Sequence, residues 1–433
     1  NLAAINSALD SAAINGAAVD TTAEVQAIVN AYNAILGEAN GSAADATPGT
    51  NATPAQYAAI GADIGAAATA PNNLALLNDI VGTQSTTGVD SASEISNLAR
   101  IANAIELIAA GGTPNPALNA TDLNLIGITG VTADNLPAII QTIAGTNDDG
   151  SAVSTLGDLQ NIVTTAANAA ATALATISAA AQADNATATA PDLAVYTAAG
   201  VSGVDSNNLS AINSALDSAA VDGEAVNTTA EVQALVDAYN AILAEANGAV
   251  ADATSADPTA HQYTAIGVTL DAAASDADNL ALLNSLVGAQ PTTGVDTVTE
   301  INNLARIANA IQSVASTGSA SPALTAADLA AIGLADVTDA NLDTVLQAIA
   351  GQANDGSQTD TLGKLQTLVD NVNHAAERIA QAAQNNTAAS DALDLSVFAA
   401  AGVSGVVAAD LPLIREMLDT ANITGTSVAT TAQ

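Results

Sequence analysis

In the stretch TTAEVQAIVNAYNAILGEANG (residues 21–41), apolar side chains fall at Val25, Ile28, Val29, Tyr32, Ile35 and Leu36. Steps of three and four place them on one stripe of an α-helix. Thr21 and Glu24 have the spacing of a capping box, in which a hydroxyl and a carboxylate satisfy free N–H groups of the first turn. The Asn-Gly pair closes the stretch. A second version, TTAEVQALVDAYNAILAEANG, occupies 228–248, with Val232, Leu235, Val236, Tyr239, Ile242 and Leu243 as its stripe and Thr228 and Glu231 as its caps. SASEISNLARIANAI and TVTEINNLARIANAI read as helices of the same kind, with Asp90 and Asp296 in the expected N-cap positions. Shorter apolar runs are of two further kinds. One begins with Thr, Asp or Pro and ends with Gly, as in ATPAQYAAIG and LTAADLAAIG; the other opens with Asn-Leu, as in NLAAINSALD and NLPAIIQTIA. Nowhere do β-branched and polar residues alternate for long, so an all-α fold is expected.

The three kinds of helix follow one another in a fixed order, so each set reads as first, second and third helix. Leu2, Leu74, Leu136, Leu209, Leu280, Leu342 and Leu411 mark the second helices at intervals of 62–73 residues. A longer period contains three sets: residues 1–41 and 208–248 differ at eight positions over an offset of 207. The expected organisation is therefore tandem three-helix repeats of about 60–73 residues in two long copies of about 207. Boundaries fall at 1–53 (partial), 54–116, 117–188, 189–256, 257–322, 323–390 and 391–433 (partial). Because the apolar side chains are mostly Ala with some Ile, Leu and Val, one set alone buries little area. Stacking against neighbours, as a rod or solenoid, would supply the missing burial. The chain opens at Asn1 inside a unit without an initiator Met or cleavage site, which reads as an excerpt or processed product of something longer.

Composition narrows the function. Of 433 residues, five are Lys or Arg and 44 are Asp or Glu, giving a formal charge of −39. Phosphate backbones are bound by clustered cations, so nucleic acid is disfavoured as a partner, as is an anionic membrane surface. The same charge favours solubility and weak association with divalent cations. With no Cys, no disulfide framework and no thiolate metal site can form. Residues 161–183 are uncharged, but Ala, Thr, Ser and Asn dominate, and the matching stretch 365–384 carries Asp370, His374, Glu377 and Arg378. No membrane span is therefore expected.

Candidate chemistry is sparse, and an enzyme is not expected. The six aromatics occur in matched slots, Tyr32 with Tyr239, Tyr57 with Tyr263 and Tyr196 with Phe398, which reads as packing. His261 and His374 have no counterpart in the other copy and no ligand spacing. Arg100 and Arg306 match each other inside apolar third helices and call for a nearby carboxylate or an interface to snorkel from. Two loops offer hard oxygen ligands near a turn Gly, and they are the candidates for weak calcium binding. They supply Asn147, Asp148, Asp149 and Asp158 in one copy and Asn354, Asp355 and Asp360 in the other. An Asx-turn followed by a helix cap explains the same residues without metal. Apart from that possible calcium, no cofactor is expected. Asn-x-Ser/Thr sequons are frequent, as chance predicts in so polar a composition.

The pattern AAGVSGV…NNLSAINSALDSA…NTTAEVQALVDAY (199–239) resembles the Ala, Asn and Thr-rich helical tandem repeats of very large secreted bacterial surface proteins of the adhesin or biofilm-matrix type. That resemblance implies an extracellular or cell-surface setting and a structural or adhesive role. The expected function is a non-enzymatic fibre, stalk or surface sheath. Its partner would be the chain itself, joined head to tail through open repeat ends, with other surface or matrix components as further partners. The alternative is a helical binding module or adhesin segment for a peptide or glycan.

Overall fold

A computed structural model describes residues 1–41, 51–146, 150–183, 190–248, 257–352, 356–388, 393–430 and 433. Among these residues there are 19 α-helices, eight short 3-10 helices and no strand. The one β-bridge joins Asn247 and Pro291. The fold is all-α. Of the residues expected to bind calcium, Asn147, Asp148, Asp149, Asn354 and Asp355 lie outside the described residues.

The chain divides into two compact units. The first comprises Asn1–Ile177, Pro191–Ser202 and Asn227–Val232; the second comprises Ser178–Ala190, Gly203–Val226 and Gln233–Gln433. In the first, helix Thr22–Glu38 packs on Leu2–Leu9, Pro54–Ala59 and Pro71–Thr83, and Ala92–Ala109 packs on Pro71–Thr83, Leu136–Ala144 and Leu2–Leu9. In the second, Val298–Thr317 packs on Ala277–Gly288, Leu342–Ala350 and Leu209–Leu216. There Leu362–Asn385 packs on Leu342–Ala350, Ala277–Gly288 and Leu395–Ala400. A third helix in each unit thus touches both its own second helix and helices of adjoining sets. The core follows from this: Ile95, Leu98, Ile101, Ala102 and Ile105 are buried on the first unit's Ala92–Ala109, and Ile301, Leu304, Ile307, Ala308 and Ile311 on the second unit's Val298–Thr317. Ala at the closest approaches lets the helices draw near without losing side-chain entropy.

Helix starts are set by reciprocal caps. Thr21 and Glu24 make the capping box of Thr22–Glu38, and Thr53 with Gln56, Thr259 with Gln262 and Thr325 with Asp328 do the same for three first helices. Two expected caps are displaced by a residue. Ser91 and Thr297, rather than Asp90 and Asp296, are the N-caps of Ala92–Ala109 and Val298–Thr317. The physical reason is spacing: only the hydroxyl three residues before Glu94 or Glu300 can exchange hydrogen bonds with that carboxylate.

First helices end at a glycine in the left-handed region, and Gly267 (φ +87°) shows why. A Cβ there would lie 2.2 Å from Ser218 Oγ, whose hydroxyl donates to Gly267 O at 3.2 Å. Both the backbone angle and the close approach call for Gly.

By length and composition, helix Leu156–Gln182 could cross a membrane, the one such helix among the described residues. In the first unit its Leu156, Leu159, Val163, Ala166, Ala170, Ala173, Leu174 and Ile177 form one buried stripe. The intervening positions are mostly exposed Thr, Asn and Ala. That is the amphipathic pattern of a helix packed against protein on one side and water on the other.

Candidate functional site

Polar side chains inside the two units join helices to one another in a recurring way. In five sets the Asn of the Asn-Leu signal, at the N-cap (Asn1, Asn208, Asn341) or in the first turn (Asn73, Asn279) of the second helix, meets an Asn on the following third helix. In the first unit Asn1 Nδ2 donates to Asn33 Oδ1 at 2.9 Å and Asn73 Nδ2 to Asn103 Oδ1 at 2.8 Å. In the second unit Asn208 donates to Asn240 at 2.7 Å, Asn279 to Asn309 at 2.7 Å and Asn341 to Asn373 at 2.8 Å. The third-helix Asn then donates to a carbonyl between first and second helix: Asn103 to Ile64 O, Asn240 to Gly203 O, Asn309 to Leu270 O and Asn373 to Asp336 O. One amide side chain therefore ties a third helix to its second helix and to the segment that joins first and second. Buried amides hold their geometry well, because leaving one unsatisfied is costly.

A second contact joins one set to the next. The residue five positions after the marker Leu accepts a hydrogen bond from the first N–H of the third helix one set later. Ala92 N donates to Ser7 Oγ at 3.3 Å and Leu156 N to Asp79 Oδ2 at 2.6 Å. Val298 N donates to Ser214 Oγ at 2.9 Å and Leu362 N to Ser285 Oγ at 3.0 Å. Each clasp satisfies an N–H that a helix start leaves without an intrahelical partner.

The residues most suggestive of chemistry are engaged in similar ties. Arg100 pairs with Asp122 and Arg306 with Asp328, joining a third helix to the next first helix. Although burial opposes it, hydrogen bonds from Thr325 and Arg306 hold the Asp328 carboxyl below the usual range. All six aromatics are buried. Tyr57 OH donates to Asn78 Oδ1 at 2.7 Å and Tyr263 OH to Asn284 Oδ1 at 2.8 Å, while Tyr239 OH reaches Val295 O at 3.1 Å. Burial pushes the Tyr32 phenol up to about 12, helped by the Asp90 and Glu94 charges, and raises Tyr57, Tyr196, Tyr239 and Tyr263 further. His261 and His374 are exposed.

Of the candidate calcium ligands, Asp158 accepts from Thr155 Oγ1 at 2.7 Å and Asp360 from Lys364 Nζ at 2.6 Å. Among the described residues no group of three or more His, Cys, Asp or Glu is placed to hold a metal. In the two marker helices the stripes divide. Ile28, Tyr32 and Ile35 are buried while Val25 is exposed and Val29 and Leu36 are half-buried; Val232, Leu235, Val236, Tyr239 and Ile242 are buried and Leu243 is half-buried. The Thr228 and Glu231 caps exchange both hydrogen bonds, at 3.0 and 3.3 Å.

Two hollows remain. A cleft of about 320 Å³ in the first unit lies beside Arg100, with Asp63, Ser96, Asn103, Leu107 and Pro116 around it. An apolar groove of about 310 Å³ in the second unit is lined by Ile379, Phe398, Val403, Ile414, Leu418 and Val428. No protein family, curated protein or solved structure matches the chain.

Proposed function

We propose that this chain is a non-catalytic structural repeat protein of an extracellular or cell-surface fibre, stalk or sheath. Its three-helix sets stack in series, and copies associate head to tail. The observation that supports this reading is the use to which its polar side chains are put. Asn, Arg, Tyr, Ser and Asp residues that could carry chemistry instead repeat the same helix-to-helix ties from set to set. A surface dominated by carboxylates keeps such an array soluble at high copy number. Electron microscopy of the protein at high concentration, with and without calcium, tests the reading. Filaments or sheets are expected; isolated single particles under both conditions would refute it.

One observation favours a binding role in addition. Arg100 Nη1 is buried beside the first-unit cleft and has no hydrogen-bond partner among the described residues. A guanidinium donor so placed suits a carboxylate or hydroxyl of a peptide or glycan. Binding of the wild type to a peptide array or a glycan array, lost in Arg100→Gln, would support it, and no binding to either array would dismiss it.

A further inference from the structure

The first-unit cleft runs along one face of helix Ala92–Ala109. Ser96, Arg100 and Leu107 follow one another there at steps of four and seven, about one and two helical turns. At the Ser96 end, Asp63 N donates to Ser96 Oγ at 2.9 Å, which holds Asp63 against the helix one turn before Arg100. Asp63 is exposed; its Oδ1 accepts from Gly65 N at 3.0 Å, and its second carboxylate oxygen is left open to the cleft. In the middle, Arg100 Nε is held by Asn97 and Nη2 by Asp122, while Nη1 is buried without a partner among the described residues. At the far end, Leu107 is 43% exposed and lies over Gly112, where a Cβ would come 2.4 Å from its Cδ1. Pro114 and Pro116 add to the apolar lining. An open carboxylate, an unused guanidinium donor and an apolar shelf therefore stand in a row.

The second copy does not repeat this row. Arg306 and Pro322 match Arg100 and Pro116, but Thr269, Ser313 and Ala320 stand where the cleft has Asp63, Leu107 and Pro114. The helices themselves are close, SNLARIANAIEL against NNLARIANAIQS. The copies thus keep the cation and differ at the anionic and apolar ends.

We infer that the cleft takes a free α-amino acid with an aliphatic side chain. Its carboxylate accepts from Arg100 Nη1, its ammonium meets Asp63, and its side chain lies on Leu107 and Pro116. The inference rests on the binding role given to this cleft and names the ligand. All three groups radiate from one Cα, so a ligand seated over Arg100 reaches both ends of the row at once. Its net charge is zero, so the field of a chain carrying −39 does not oppose it as it would a simple anion. A bare carboxylic acid leaves Asp63 unanswered, and a sugar finds no ring to stack on, because all six aromatics are buried. A cleft of about 320 Å³ suits a ligand of this size.

The test is equilibrium dialysis of labelled L-leucine against the full chain at millimolar concentration. Leucinamide, which lacks the carboxylate, and isocaproate, which lacks the ammonium, should each compete at least about tenfold more weakly than unlabelled leucine. Asp63→Asn keeps the acceptor for Gly65 N and removes the charge, so leucine should bind roughly tenfold more weakly with helix content and Tm unchanged. Asp63→Thr combined with Leu107→Ser installs residues that the second copy already accommodates at Thr269 and Ser313, and it should abolish binding. Leucine held equally by wild type and this double variant would overturn the assignment. A wild type that ignores leucine yet binds a peptide or glycan array through Arg100 would overturn the amino acid and leave the binding role standing; a wild type that binds neither would overturn both.

Discussion

Asn279 Nδ2 donates to Asn309 Oδ1 at 2.7 Å, and that same oxygen accepts from Ala273 N at 3.1 Å while Asn309 Nδ2 donates to Leu270 O at 2.7 Å. The second helix, the third helix and the segment that leads from the first helix to the second thus converge on a single amide. Asn309→Ala removes all three bonds and strands partly buried partners, which should cost about 1–3 kcal/mol. Asn33, exposed and tied to Asn1, is the internal comparison, and Asn33→Ala should change stability by no more than about 0.5 kcal/mol. Urea unfolding of both variants, compared at equal m, reads the difference.

Gly267→Ala should destabilise by about 1–3 kcal/mol, since Ala pays for the left-handed backbone and meets Ser218 Oγ. Adding Ser218→Ala to that variant should recover only the steric part. A double-mutant cycle on Tm would show the coupling, and strict additivity would mean the close approach has no energetic weight.

Alkaline unfolding should begin near pH 10. The five tyrosines are all raised in the folded state, so above the unfolded value of about 10 the unfolded chain releases protons that the folded chain keeps. Stability is therefore full below that pH and falls as pH rises through the folded values. Circular dichroism against pH, with phenolate absorbance followed in parallel, should show helix loss and ionisation together. Phenolate appearing at pH 10 with helix intact would contradict the burial argument.

Ser285→Ala removes the acceptor for Leu362 N and should cost roughly 0.5–1.5 kcal/mol. The effect should be local. Amide exchange in the first turn of Leu362–Asn385 should accelerate about tenfold, while the helix Ala260–Ala265 keeps its protection.

Helix type and order could be read from residue spacing, because stripes at three and four and caps such as Thr21 with Glu24 are local signals. The Asn-Leu signal was visible too, but its meaning was not. Asn279 meets Asn309 30 residues on, and Ser285 meets Leu362 N 77 residues on, distances at which only packing sets the register. Caps at 90 and 296 were misplaced by one residue because Asp90 and Asp296 are themselves good capping types; the deciding partner was Glu94 or Glu300. Arg100 called for a carboxylate, yet nothing in its own helix pointed to Asp122 on the next first helix. The apolar groove could not be foreseen from stripe residues, since it is made of side chains from several short helices that are apolar in every set.

The clasps carry a direction. Ser7, Asp79, Ser214 and Ser285 each hold the start of a helix that lies later in the chain. When a second helix melts, the third helix of the following set loses the acceptor for its first N–H, whereas the preceding set loses nothing of this kind. Loss of a second helix is therefore felt at a helix start one set nearer the C-terminus, like a dropped stitch that loosens the row after it.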